Sequence, residues 1–282
     1  MSEQMHRIAL ASRPTAAPTP ENFRYEAAPM PVAGEGEILV KVHYMSLDPY
    51  MRGRMDDAKS YAAPVPVDGT MEGGAVGEVI ASNSKHFAPG DFAFGMFGWA
   101  THAVQPANMC QKLDPKQAPI TTALGVLGMP GLTAYFGLLD LCEPKQGETL
   151  LVNGAAGAVG SVVGQIGKIK GCRVVGVAGS DEKVRHIKED LGFDAAFNYK
   201  TVEKYSAQYR ELCPDGIDCY VELVGGEVFW AVLPLLAIAA RVPVIGGIAA
   251  YIAASPPPGP DRTPQLLRTI LVRRLVVQGL LV

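Results

Sequence analysis

A strand, a glycine-rich turn and a helix follow one another in residues 148–171, which read ETLLVNGAAGAVGSVVGQIGKIKG. Residues 149–152 form a short apolar run typical of a β-strand, and residues 153–160 are almost all small. Apolar residues then recur at the spacing of a buried helix face, at Val162, Val163, Ile166 and Ile169. Gly171 predicts the end of that helix.

Such a turn suits a pyrophosphate, which can approach backbone N–H groups at the positive end of a helix dipole. The glycines are spaced G-x-x-G-x-x-G rather than G-x-G-x-x-G, and so short a pattern also arises where a strand–helix junction needs small residues only for packing. Its position between a strand and a helix favours a dinucleotide site. The candidate residues of the turn are Asn153, Gly154, Ala155, Gly157, Ala158, Val159 and Gly160.

The next segment bears on which dinucleotide is bound. Residues 173–177 predict a second strand, and Ser180 is the expected N-cap of a helix that ends by Gly192. Enzymes that use NAD place an acid at the tip of this strand to bind the ribose 2′-OH. Here residues 177–180 read VAGS, and Asp181 lies past the tip, where it favours the helix N-terminus.

Cations follow this tip closely, at Lys183 and Arg185. We therefore expect NADP(H) rather than NAD(H), with Gly179, Ser180 and Lys183 around the 2′-phosphate. The alternative is that both cations only form a solvated helix face.

Length, charge and cysteine content limit the class of protein. A chain of 282 residues can form about two domains, each with its own core. The net charge of −3 gives no reason to expect nucleic acid or an anionic membrane as a partner. The five cysteines are scattered without a C-x-x-C pair, which argues against a disulfide framework or a zinc lobe. Because the first residues also lack the apolar core of a signal peptide, we expect a cytoplasmic protein.

One apolar stretch, residues 228–254, contains Arg241 as its only charge and is long enough to span a bilayer. Pro234, Pro243 and the glycines at 246–247 interrupt it. These breaks favour a buried helix followed by a central strand of a parallel sheet, both of whose faces are apolar. We therefore expect no membrane span.

Two regions differ in pattern. Residues 1–125 contain short β-type runs separated by close turns and predict a small β-rich barrel. Strands and helices alternate over residues 126–282, as in a doubly wound α/β domain. The strands expected there are 150–152, 174–177, 195–199, 219–222 and 242–245.

Several longer motifs resemble one known family along essentially the whole chain. They are LDPYMRGRM at 47–55, GMPGLTAYFGL at 128–138, NGAAGAVGS at 153–161, AGSDEKV at 178–184 and FNYK at 197–200. The chain resembles the medium-chain dehydrogenase/reductase superfamily and, within it, the zinc-independent alkenal/one reductases. That group includes leukotriene B4 dehydrogenase/prostaglandin reductases, plant double-bond reductases and curcumin-reductase-like enzymes.

The resemblance implies a GroES-like barrel, which carries substrate-binding and catalytic residues, followed by a Rossmann domain that binds NADP(H). It implies that Lys183 holds the 2′-phosphate, Tyr199 lies beside the adenosine end, and Met129 and Thr133 border the nicotinamide. It also makes a homodimer through the edge strand of the Rossmann domain a candidate assembly.

Metal-free chemistry fits the residues present. A catalytic zinc needs three protein ligands, and the histidines include no i, i+3 or i, i+4 pair. His43 either faces the active site or is an ordinary barrel histidine. Without a Lewis acid, the natural reaction is hydride delivery to the β-carbon of an α,β-unsaturated ketone or aldehyde, whose enolate oxygen then needs a hydrogen-bond donor.

The resemblance implies tyrosine hydroxyls as such donors. Tyr251 matches the tyrosine of the family's I-S-x-Y-N segment, and Tyr50 matches that of D-P-Y-M-R. The alternatives are a loop aromatic for Tyr251 and a core side chain with a solvated hydroxyl for Tyr50.

The chain also departs from the family pattern. Leu223 replaces a polar cofactor contact, and the I-S-x-Y-N segment reads IAAYI. Family members continue past the strand that residues 275–282 resemble, so we expect the C-terminal segment that returns to the barrel to be lacking. A quinone reductase and a non-catalytic NADP(H)-binding protein therefore remain as alternatives to an enone reductase.

Overall fold

The computed structural model describes residues 4–253 and 259–282. These residues divide into two units. The first comprises residues 4–128 together with 251–253, and the second comprises residues 129–250 together with 259–282.

Antiparallel strands build the sheets of the first unit. Its elements are β1 (Gln4–Leu10), β2 (Phe23–Pro29), β3 (Glu37–Met45), α1 (Tyr50–Arg54), β4 (Ala75–Ser82), β5 (Phe92–Gly95), β6 (His102–Pro106) and β7 (Gln111–Leu113). Strands β1 and β2 pair with each other, and the other strands form one sheet in the order β6-β3-β4-β5-β7. The closely spaced β-type runs of the sequence are thus confirmed as strands.

Alternating apolar residues of this sheet build the core of the first unit. Ile38 and Val40 on β3 pack with Val79 on β4 and with Phe87 and Phe97 in the connecting segments. A smaller cluster contains Leu10, Met55, Val65 and Met71. It lies beside α1, because Met55 directly follows that helix.

Strands and helices alternate in the second unit. Its elements are α2 (Met129–Tyr135), β8 (Thr149–Asn153), α3 (Gly160–Ile169), β9 (Arg173–Ala178), α4 (Asp181–Glu189), β10 (Ala195–Asn198), α5 (Tyr205–Leu212), β11 (Ile217–Val221), α6 (Gly226–Val232), β12 (Leu236–Val244), α7 (Ile248–Tyr251), α8 (Thr263–Arg273) and β13 (Val276–Gly279). A π-helical segment, Phe136–Cys142, follows α2. The predicted doubly wound α/β pattern is confirmed.

The strands of this unit form one parallel sheet in the order β10-β9-β8-β11-β12-β13. Leu150 and Val152 of β8 point to one core cluster, whereas Leu151 points to the other. Both faces of the sheet are therefore buried, which explains why its strands read as continuous apolar runs. The strand order reverses beside β8, and ligands of such sheets bind at that point, beyond the carboxyl ends of the strands.

Helix α3 buries only part of the face expected, since Val163 is fully buried but Ile169 is not. Ile169 is 82% exposed, and Val162 and Ile166 are only partly buried. The buried positions are Gly160, Val163, Gly164 and Gly167. A Cβ atom at Gly164 would lie 1.8 Å from Cζ of Phe193, and one at Gly167 would lie 2.4 Å from Cδ2 of Leu150. The helix approaches the sheet so closely that glycines form its inner face.

The long apolar stretch contains the short helix α6 followed by the strand β12, and Arg241 lies within that strand. Its guanidinium donates to the carbonyl of Cys142 and pairs with Glu148, so the charge is compensated. In residues 4–253 and 259–282, no helix has both the length and the apolar character needed to cross a bilayer.

β12 is longer than the strand expected at 242–245, because it begins at Leu236 and passes through an irregularity. The register against β11 shifts between the pairs Ile217–Leu236 and Cys219–Arg241. Ala239 has a positive φ of 61° in this bulge. This bulge interrupts the regular alternation of a β-strand, so the sequence pattern did not reveal the first part of β12.

Candidate functional site

The glycine turn connects the carboxyl end of β8 to the start of α3, as predicted. Gly154 has a positive φ of 63°, which favours glycine. A Cβ atom at Gly160 would lie 2.4 Å from the carbonyl oxygen of Gly154, and one at Gly157 would lie 3.1 Å from the same atom. The turn therefore closes on itself through glycine, with the N–H of Gly157 donating to Gly154 at 2.9 Å.

Candidate residues of the turn differ in their access to solvent. Gly154, Gly157 and Ala158 are exposed, whereas Ala155 and Gly160 are buried. The N–H of Ala155 donates to the carbonyl of Val177, which ties the turn to β9. An anion could thus reach the backbone only on the side formed by the exposed residues.

Asn153 lies beneath this turn and is buried. Its side-chain amide donates to the hydroxyl of Tyr220 and accepts the hydroxyl of Tyr209 at 3.0 Å. Because both ends of the amide have protein partners, the Asn153 side chain supports the turn from below. Its predicted role as a cofactor-binding residue stays a prediction.

Glu222 continues this buried network and was missed by the sequence analysis. Tyr220 donates to its Oε2 atom, while the N–H groups of Val224 and Gly225 donate to its Oε1 atom at 2.6 and 2.7 Å. Burial raises the pKa of the Glu222 carboxyl, against the effect of these hydrogen bonds. Glu222 thereby holds the loop after β11 in place beside the glycine turn. The sequence did contain a signal for Glu222, because it is an acidic residue at the end of the predicted strand 219–222.

That loop packs on the turn and on the segment after β12. A Cβ atom built on Gly154 would contact Val224 and Leu223 at 3.8 and 4.0 Å. The N–H of Ala249 donates to the carbonyl of Val224 at 3.0 Å. Leu223, the apolar residue that departs from the family pattern, is thus a neighbour of the glycine turn.

The tip of β9 carries the residues expected near a 2′-phosphate. Ser180 caps α4, because its hydroxyl accepts the N–H of Lys183 at 3.3 Å, which confirms the predicted N-cap. Lys183 is exposed in the first turn of α4. A Cβ atom at Gly179 would lie 3.1 Å from Cε1 of Tyr199, so glycine allows this tyrosine to lie against the tip.

Lys200 is a second cation here that sequence reasoning left out. Its Nζ atom lies 5.9 Å from the ring centroid of Tyr199, and its Cε atom would be 3.6 Å from a Cβ atom on Gly179. Tyr199 is 36% exposed. The tip therefore presents an aromatic face and an exposed cation on the β10 side, with Lys183 on the α4 side. The FNYK motif contained the signal for Lys200.

Met129 and Thr133 lie one turn apart on α2. The hydroxyl of Thr133 donates to the carbonyl of Met129 at 2.7 Å. Thr133 is buried, whereas Met129 is partly exposed. The helix thus brings the two residues together.

Tyr50 begins α1 in the first unit and lies among charged groups. The guanidinium carbon of Arg54 is 5.7 Å from the centroid of the Tyr50 ring and 4.6 Å from that of Tyr61. Burial, together with the negative charges of Asp48 and Glu72, raises the pKa of Tyr50 to about 12. Its hydroxyl therefore stays protonated at neutral pH and can donate a hydrogen bond.

Tyr251 is the last residue of α7 and is 38% exposed. It groups with the first unit, whereas the preceding residues of the helix group with the second. The segment before it packs on the glycine pair at 225–226, since a Cβ atom on Gly226 would lie 3.4 Å from Cβ of Ala249.

His43 has an ordinary place in the first unit. Its Nε2 atom lies 4.0 Å from Oε2 of Glu78 on the neighbouring strand, and its ring meets Phe92 edge-on. Across the residues that the structure describes, no three His, Cys, Asp or Glu side chains come together as a metal site.

Comparison with known proteins gives the family. Two family models match, one described as the N-terminal domain of oxidoreductase over residues 6–113 and one as zinc-binding dehydrogenase over residues 158–281. The NADPH-dependent curcumin reductase of Escherichia coli is 50% identical over 280 residues, which are 99% of this chain and 81% of that protein. Prostaglandin reductase 1 of Rattus norvegicus is 44% identical over 94% of this chain and 78% of its own length.

The chain belongs to the zinc-independent alkenal/one reductases of the medium-chain dehydrogenase/reductase superfamily. The expected family is thus confirmed. A solved structure of this group, CurA from Vibrio vulnificus in complex with NADPH, has a TM-score of 0.94 and 48% identity over 98% of this chain and 82% of that one. As a member of the group, the protein is an oxidoreductase.

Proposed function

We propose that this member of the alkenal/one reductase group uses NADPH to reduce the C=C bond of α,β-unsaturated ketones and aldehydes. The observation that carries the proposal is the edge of the parallel sheet beyond β8 and β9. There, the glycine turn has exposed residues, and the adjacent tip of β9 has Tyr199 against Gly179 and an exposed Lys183 in the first turn of α4. NADPH-dependent relatives support the choice of cofactor.

The turn fits a pyrophosphate because Gly154, Gly157 and Ala158 are exposed and have small side chains or none beside their backbone N–H groups. Gly160 keeps the turn closed, since a Cβ atom there would lie 2.4 Å from the Gly154 carbonyl oxygen. In this proposal the turn and the N-terminus of α3 hold the pyrophosphate. Ala158 and Val159 directly precede α3 in the chain. Ala155 would contribute indirectly, because its N–H group bonds to β9 and fixes the turn.

The adenosine end is proposed to lie at the tip of β9. Lys183 would pair with the 2′-phosphate, Gly179 and Ser180 would line its site, and Tyr199 would lie along the adenosine. Met129 and Thr133 would border the nicotinamide. Asn153 would act through the turn that it supports rather than by direct contact of its side chain.

When bound, NADPH would supply a hydride to the β-carbon of a double bond conjugated to a carbonyl, and a proton from solvent would complete the reduction at the α-carbon. The protein must then stabilise negative charge on the carbonyl oxygen, and neutral hydroxyl donors do so without losing a proton. Tyr50 meets this requirement because a phenol is protonated at neutral pH, and its raised pKa of about 12 extends that protonated form to alkaline pH. We propose Tyr50 and Tyr251 as the donors.

The substrate class rests on named relatives. A curcumin reductase, a prostaglandin reductase and a 2-alkenal reductase of Nicotiana tabacum are among them, the last 43% identical over 77% of this chain and 64% of its own length. We propose that an enone or enal is likewise the acceptor here. A quinone is the competing acceptor, since it too is an activated carbonyl compound.

A second copy of the chain is the proposed protein partner. The edge strand β13 pairs with β12 on one side only in the described sheet, and Val276 and Val277 on it are exposed. An unpaired parallel edge with exposed valines can extend the sheet into a second copy. We also propose the cytoplasm as the compartment, because the five cysteines are free.

The test measures NADPH oxidation with a medium-chain 2-alkenal, a conjugated enone and a quinone. The 282-residue chain is compared with a version extended by the C-terminal segment of the Escherichia coli relative. Saturated products from the alkenal and the enone are expected. Turnover of the quinone alone would favour a quinone reductase. Failure of both versions with every acceptor, alongside retained NADPH binding, would leave a non-catalytic binding protein.

A further inference from the structure

Asn198 connects the two sides of the β9 tip. It is the last residue of β10, pairs in register with Ala178 at the end of β9, and is only 9% exposed. Its Nδ2 atom donates to Oδ1 of Asp181 at 2.9 Å, and its Oδ1 atom accepts the N–H of Lys200 at 3.1 Å. One buried amide therefore fixes both the first residue of α4 and the turn that carries Lys200.

Asp181 is the acid closest in sequence to this tip. It follows Ser180 directly and begins α4. In enzymes that use NAD, an acid at the tip of the second strand binds the ribose 2′-OH and opposes a 2′-phosphate. Two like charges in a partly exposed site repel each other, so an unrestrained Asp181 carboxylate would disfavour NADPH.

We propose that Asn198 is a positioning residue for cofactor choice, because its amide holds the Asp181 carboxylate against β10 and prevents it from opposing the 2′-phosphate. The inference rests on the proposed use of NADPH. The hydrogen bond satisfies one carboxylate oxygen and restricts rotation of the side chain. Cofactor preference then depends on an amide that need not touch the cofactor.

Four proteins test this inference: the unchanged chain, Asn198→Ala, Asp181→Asn and the double variant. Each is titrated with NADPH and NADH and with the fragments 2′,5′-ADP and 5′-AMP, and the dissociation constants are measured by fluorescence or calorimetry. Asn198→Ala should weaken binding of NADPH and 2′,5′-ADP about 3- to 10-fold, as expected for one freed charge in a partly exposed site, and leave NADH and 5′-AMP nearly unchanged.

Asp181→Asn should by itself change little, because the amide already restrains the acid. The double variant should recover most of the NADPH affinity that Asn198→Ala loses. Thr201→Val is the matched control for disturbance of the turn, since the Thr201 hydroxyl donates to the carbonyl of Asn198 without involving Asp181. It should keep the ratio of NADPH to NADH affinity.

Two outcomes overturn the inference alone. One is an unchanged affinity ratio in Asn198→Ala, and the other is a double variant that binds NADPH as weakly as Asn198→Ala. The second result would mean that the substitution damaged the turn itself. If the unchanged chain shows no preference for 2′,5′-ADP over 5′-AMP, the proposed cofactor is wrong and the inference falls with it.

Discussion

Tyr220 donates its hydroxyl hydrogen to the buried carboxylate of Glu222, two residues further along the chain. The same hydroxyl accepts the side-chain amide of Asn153, which begins the glycine turn. The network therefore connects the carboxyl ends of β8 and β11. The glycine turn and the loop after β11 are thus held by the same hydrogen bonds. A substitution of Tyr220 or Glu222 should therefore disturb both loops.

Removing the Tyr220 hydroxyl should be costly to stability. In Tyr220→Phe, the Asn153 amide loses its acceptor and Glu222 loses a donor while both stay buried. We expect the free energy of unfolding to fall by about 2–4 kcal/mol. Urea denaturation measures it, with Tyr25→Phe, at an exposed tyrosine, as the control. Equal stability of the two variants would contradict the structural importance of the network.

Gly164 is required by the close approach of α3 to Phe193. Gly164→Ala should lower stability by roughly 1–3 kcal/mol despite the better helix propensity of alanine, because its Cβ atom would overlap the Phe193 ring. Gly53→Ala is the matched control in α1, where nothing lies within 4 Å of the added atom. Thermal unfolding of both variants measures the two changes in stability. The addition of Phe193→Leu should recover part of the loss, and no loss at Gly164 would show that the helix can move away.

Lys183→Ala should reduce NADPH affinity selectively. A charge-assisted contact to phosphate in a partly exposed site contributes about 1–2 kcal/mol, which corresponds to roughly a 5- to 30-fold increase in the dissociation constant. NADH binding should barely change. Lys188→Ala, an exposed cation in the last turn of the same helix, serves as the control. Equal losses for both cofactors would mean that Lys183 has a structural role.

Tyr50→Phe tests the proposed donor. Loss of one hydrogen bond to a developing oxyanion should lower kcat about 100-fold, with the NADPH dissociation constant unchanged. Because the pKa of Tyr50 is about 12, the donating form persists throughout neutral and moderately alkaline pH. The unchanged protein should therefore show no alkaline loss of kcat from this group between about pH 6 and about pH 10. An unaltered kcat in Tyr50→Phe would remove it from the mechanism.

Metal content gives an independent test of the chemistry. Catalytic zinc needs three protein ligands, and the described residues include no such group of His, Cys, Asp or Glu side chains. The purified protein should therefore contain far less than one zinc per chain, and a chelator should leave its activity unchanged. Elemental analysis measures the content. The second matching family model is described as a zinc-binding dehydrogenase. One zinc per chain would contradict the prediction of metal-free chemistry. It would require a set of ligands that the sequence analysis did not find.

Local patterns in the sequence predicted much of the second unit. Three of these patterns depend only on residues close together in the chain. They are the apolar run before the glycine turn, the Ser180 cap and the interrupted stretch at 228–254. Hydrophobic periodicity and capping act over only a few residues, so they can be read directly. The same kind of reading pointed to Lys183, because the strand tip is itself a local feature, whereas Tyr199 was predicted from the resemblance to the family.

Tertiary structure alone decided which residues support the site. Ile169 fitted a buried helix face by spacing, yet glycines form that face because α3 lies so close to β8 and Phe193. Asn153 and Tyr209 are far apart in the chain and bond to each other in the interior, and Tyr220 connects Asn153 to Glu222. Folding brings these groups together, and as buried polar groups they need such partners. Asn198 reaches Asp181 for the same reason, across two parallel strands. The sequence by itself determined the order and type of the main elements of the second unit, because those patterns are local. The packing of the elements determined where a strand such as β12 begins, which helix faces are buried and which polar groups are paired, because those depend on residues distant in the chain.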